Sequence, residues 1–94
     1  MRQLALRGRN YKKAMQVWIP ILVADAVEIY VNEKKLTALA ISRIAVKRNF
    51  PIKTTFEFLE YAKILPSGTW DRLVDRGFTA AKAKAAVAAQ EVST

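Results

Sequence analysis

The apolar positions change rhythm along the chain. From Tyr11 they fall at helical spacing: Tyr11, Met15 and Trp18 or Ile19 share one side, with Lys12, Lys13 and Gln16 elsewhere. Residues 17–31, VWIPILVADAVEIYV, then form the most hydrophobic run, interrupted by Asp25 and Glu28. Pro20 predicts a kink in one continuous helix or the first turn of a new one. Residues 20–33 carry two signals. Their β-branched content and the period-two alternation of Val27 to Val31 read as strand, whereas the lack of glycine and the Ala-containing segment that follows read as helix. A buried helix ending near Asn32–Lys35 is the expectation, and a strand at 27–31 is the competing reading.

Leu36 to Lys47 predicts a helix without a breaker. Arg43 and Lys47, one turn apart, project close to the side carrying Leu36 and Ala40. Either their aliphatic stems cover apolar surface or that side meets an anion. Thr54 or Thr55 is the expected cap of a helix through Phe56, Leu59, Lys63 and Ile64 that stops before Pro66. Ser67 is the expected cap of a short helix ended by Gly77, and Thr79 of an Ala-rich segment that frays or docks, having little large apolar surface of its own. The pattern predicts an all-α fold in one small domain, a compact bundle of four to five short helices. Residues 1–10 would be a basic N-terminal arm, 11–78 the core and 79–94 an Ala-rich C-terminal helix. The alternative is α+β, with a short strand near 27–31.

Composition narrows the chemistry. Ninety-four residues suffice for one core. There is no cysteine and no histidine, which excludes disulfides, thiolate nucleophiles, cysteine-bearing zinc sites and histidine general bases. No catalytic residue, metal ligand or cofactor is assigned, and the chain is not expected to be an enzyme. Lack of cysteine suits a cytoplasmic or other reducing interior. Organellar import is the alternative, because the N-terminus is Arg-rich and free of acids before Asp25. The fifteen-residue apolar run is shorter than the roughly twenty residues a spanning helix needs, so no transmembrane segment is expected.

Charge points to a partner. Residues 1–53 hold eleven Lys or Arg against three acids, and residues 54–94 hold five of each, so the whole net charge of +8 lies in the first part. A one-sided positive field attracts phosphate polyanions, which makes nucleic acid, DNA or RNA, the first candidate. The candidate contacts are Arg2, Arg7, Arg9, Lys12 and Lys13, with Tyr11 as a stacking aromatic, and Arg43, Lys47, Arg48 and Lys53 around a bend.

That bend lies in IAVKRNFPIKTTFEFL, residues 44–59. Ala45 is small where two helices would cross, Asn49 tolerates positive φ four positions later, and Phe50 follows as the apolar turn residue. Phe58 and Leu59 sit where a second helix faces the core. These positions resemble the helix-turn-helix of small transcriptional regulators, with departures at Pro51 and Thr55. The resemblance implies a second helix offering Ile52, Lys53, Thr54 and Glu57 to nucleic acid. A plain corner between core helices accounts for the same residues. The other function class is a non-enzymatic accessory subunit, or a phage- or plasmid-type protein that binds and modulates a larger protein assembly. A protein partner or homodimer would then cover the surplus apolar segment and the Ala-rich tail.

Overall fold

Local starts and stops cut the described residues into five helices: α1 (Gly8–Glu33), α2 (Ala38–Lys47), α3 (Ile52–Tyr61), α4 (Thr69–Asp75) and α5 (Ala80–Val92). The structure is a computed structural model that describes residues 8–92, with side chains from 11 to 90. It contains no strand among the described residues, so the all-α bundle is the fold. The strand alternative fails because Val27 and Val31, four apart, also share one side of a helix, and α1 runs through them without a break. Pro20 lies inside α1, whose helix continues past it. Of the expected arm, residues 1–7 lie outside the described residues, and Gly8 to Asn10 already belong to α1.

Four of the helices stop through a residue in the left-handed region. Lys34 (φ 66°) donates its N–H to the Tyr30 carbonyl at 2.8 Å and closes α1. Asn49 (φ 55°), Lys63 (φ 67°) and Gly77 (φ 93°) end α2, α3 and α4 with the paired bonds of a Schellman turn. In each pair the next residue donates back to the helix: Phe50 to Ala45 at 2.8 Å, Ile64 to Leu59 at 2.9 Å, Phe78 to Leu73 at 2.9 Å. Each turn thereby swings an apolar side chain, Phe50, Ile64 or Phe78, back onto the core. The third turn also stops α3 at Tyr61, short of the expected Ile64.

The helix starts divide differently. Thr37 caps α2, accepting the Ala40 N–H at 3.1 Å, and Thr79 caps α5, accepting that of Lys82 at 3.1 Å. Neither Thr54 nor Thr55 caps α3. Pro51 occupies the N-cap, and Thr55 is fully buried with its hydroxyl donating to the Pro51 carbonyl at 2.9 Å. Ser67 does not cap α4 either. Gly68 (φ 83°) is the N-cap, and the Glu60 carboxylate of the preceding helix accepts the N–H groups of Gly68 (2.9 Å) and Trp70 (2.8 Å). A charged acceptor reaching back across the loop is stronger than a local hydroxyl, which is why the serine is bypassed.

Around these ends the core closes on α3, which packs against all four other helices. Phe56, Phe58 and Leu59 are fully buried there. Phe56 meets Trp70 and Phe78, with ring centroids 5.0 and 6.3 Å away, and Phe58 meets Phe50 at 5.7 Å and Tyr11 at 5.5 Å. The Ala-rich helix docks rather than frays over its described length: Ala83 and Val87 are buried, and α5 lies on α2 and α3.

The cap from Glu60 gives a test. Glu60→Ala should destabilise the fold by about 1–2 kcal/mol, since it removes two backbone partners at once, with Glu60→Gln intermediate. Urea unfolding followed by circular dichroism measures both, and an unchanged midpoint for Glu60→Ala would refute the cap.

Candidate functional site

The bend between α2 and α3 has the local geometry its residues predict. Ala45 is fully buried at the crossing, Asn49 is left-handed, and Phe50, Phe58 and Leu59 face inward. Pro51 starts α3 instead of disrupting it. The second helix, however, is half buried. Ile52, Thr55, Phe56, Phe58 and Leu59 are buried, and what α3 turns outward is chiefly Lys53, Glu57, Glu60 and Tyr61. Lys53 stands 3.9 Å from Glu57, and Glu60 is engaged in capping α4. Two carboxylates against one lysine, with no arginine, is a poor surface for phosphates or guanine edges.

Apart from Lys53, which lies beside Glu57, the basic residues singled out by charge separate into three groups. Arg2 and Arg7 lie outside the described residues, and Arg9 sits in the first turn of α1 with its side chain likewise outside them. Arg43 and Arg48 are drawn inward to acids on α1. Arg43 donates to Glu33 at 3.4 Å, and Arg48 donates two bonds to Asp25, at 2.8 and 3.0 Å. The hydrogen bond and the charge of Asp25 hold the Arg48 guanidinium above its usual pKa. These pairs tie α2 to α1. Lys12, Lys13 and Lys47 are exposed and have no ion-pair partner among the described residues. Tyr11 is no free stacking ring: its edge packs on Phe58, and burial first, then Glu57 and Tyr61, pushes its phenol above the ordinary pKa.

The face that sequence reasoning missed is the outer side of α1. A buried helix was expected at 20–33, yet only Leu22 and Ala26 are buried there, with Ile29 packed beside them. On the opposite side Val17, Pro20, Ala24, Val27 and Val31 are all exposed, spaced three and four residues apart along one line. Val17 is 60% exposed, Val31 58% and the neighbouring Tyr30 57%. Four of the six large hydrophobic side chains exposed among the described residues lie on this helix, so the exposure is clustered and not scattered. The cause is that α1 is apolar on both faces while α2 and α3, the helices that pack against it, cover one. By length and composition alone, Tyr11–Glu33 is apolar enough to cross a membrane, with 11% of its apolar window buried. The alternating three- and four-residue spacing was present in the sequence, masked by the period-two pattern of Val27 to Val31.

Among the described residues no three carboxylates gather as a metal-holding group. Compared with known proteins, the chain matches no family model, and no curated protein or solved structure matches it.

The two kinds of cation on α2 should respond differently to reversal. Arg48→Glu sets a carboxylate against Asp25 and should lower Tm by several degrees, whereas Lys47→Glu should leave it unchanged. Thermal unfolding of the two single variants checks this, and equal values would show that the Arg48–Asp25 pair does not tie the helices.

Proposed function

We propose that this chain is a non-enzymatic docking protein, an accessory component that attaches to a larger assembly through the outer face of α1. The supporting observation is the apolar row Val17, Pro20, Ala24, Val27 and Val31, left uncovered by a bundle whose other apolar residues are largely gathered into one core. Exposed rows of this kind mark interaction surfaces in soluble domains. Val27→Lys with Val31→Lys tests the reading, because both positions are exposed and outside the core cluster. The wild-type chain should bind a polarity-sensitive apolar dye while folded, and the double variant should lose most of that signal with unchanged helical circular dichroism. A folded wild-type chain that binds no dye would sink the proposal.

A second reading is contact with the phosphates of a nucleic acid without base readout, favoured by the +8 charge and by Lys12, Lys13 and Lys47, which have no ion pair among the described residues. Anisotropy titrations against random duplex DNA and structured RNA at several salt concentrations test it. The logarithm of affinity should fall linearly with that of salt, and Lys12→Glu with Lys13→Glu should make the slope shallower by roughly 2. Binding indifferent to salt would rule this reading out.

A further inference from the structure

We infer that the surface α1 docks against is an anionic lipid bilayer, with the helix lying along the interface. This assignment rests on the docking reading and names its partner. The outer row has a graded composition. Its centre, Val17 to Val31, is apolar, Lys13 continues the same line before it, and Lys35 lies just past the end of α1 at Glu33, both exposed. Lys12 and Lys34, also exposed, flank the two ends. An apolar strip with cationic ends is complementary to a plane of acyl chains under anionic headgroups, where lysine stems lie along the apolar region and their ammonium groups reach the phosphates. Tyr30, exposed beside the row, has the apolar body and polar tip that suit the headgroup level.

The acids near the strip do not cancel this. Asp25 at its border is held by two hydrogen bonds from Arg48, leaving Glu28 as the one acid on that face without an ion pair among the described residues. A second copy of the chain fits less well. Antiparallel pairing would bring the Lys12–Lys13 end of one copy toward the Lys34–Lys35 end of the other, and parallel pairing would set like ends together. Two chains of charge +8 also repel, while an anionic surface attracts each of them. A spanning arrangement would tear Leu22 and Ala26 away from the core that covers them.

The test uses the full chain and vesicles of phosphatidylcholine with or without phosphatidylserine. The chain should co-sediment with the serine-containing vesicles and weakly or not at all with pure phosphatidylcholine, and salt should release it. Lys13→Glu with Lys35→Glu should weaken binding by more than roughly tenfold, and Val27→Asp with Val31→Asp by a similar factor, both with unchanged circular dichroism. Because the chain has no cysteine, Val27→Cys and Lys63→Cys each give a single site for a polarity-sensitive label. Emission from position 27 should shift to the blue on vesicles, and that from position 63 should not. No vesicle binding by a chain that still binds apolar dye overturns the lipid assignment and leaves the docking face standing. Failure of both removes both. A concentration-dependent dimer without vesicle binding assigns the face to a second copy, and resistance to carbonate extraction overturns the surface-lying arrangement.

Discussion

The structure depends on one constraint: α3, ten residues long, is the post on which every other helix leans. Its buried phenylalanines connect two aromatic groups, Phe56 with Trp70 and Phe78 on one side and Phe58 with Phe50 and Tyr11 on the other. A helix used this way has little surface to spare. The bend before it therefore carries the local marks of a helix-turn-helix, the buried Ala45 and left-handed Asn49, while the helix after it keeps only a narrow, acid-bearing strip for solvent. The same turn chemistry serves any tight corner between packed helices, so turn residues alone do not determine what the second helix does.

Much of the fold was legible because its signals are local. Asn49 and Gly77 mark stops through their tolerance of positive φ, and Thr79 marks a start through its hydroxyl. The failures share a different cause. Ser67 stands in the right place for a cap, but the Glu60 carboxylate, on the preceding helix and across the loop, supplies a better acceptor. Lys63 was read as helical because its side chain gives no hint of a left-handed backbone, which is imposed by Ile64 turning back to the core. Sequence order conceals such nonlocal partners.

The same limit explains the site. Counting charges groups Arg43, Lys47, Arg48 and Lys53 around one bend, yet Arg43 and Arg48 are bonded to acids on α1, 10 and 23 residues earlier. What a sum of charges cannot reveal is which cations are already satisfied. Once Arg43 and Arg48 are assigned to joining α2 and α1, the exposed lysines that remain at the ends of α1 are Lys12 and Lys13 near its start and Lys34 and Lys35 just past its end, on either side of the apolar row.

That arrangement makes the two faces of α1 mechanically interdependent. The inner face, through Leu22 and Ala26, fixes the helix to the core, and Arg48 fixes its flank through Asp25. Both contacts hold the outer row facing solvent. A helix apolar all round would otherwise gain more by burying whichever side it could, through association or collapse, than by leaving one side wet. The inner contacts thus serve more than stability: they orient the outer row and keep its valines in line, so that a flat partner meets the whole length of the strip at once.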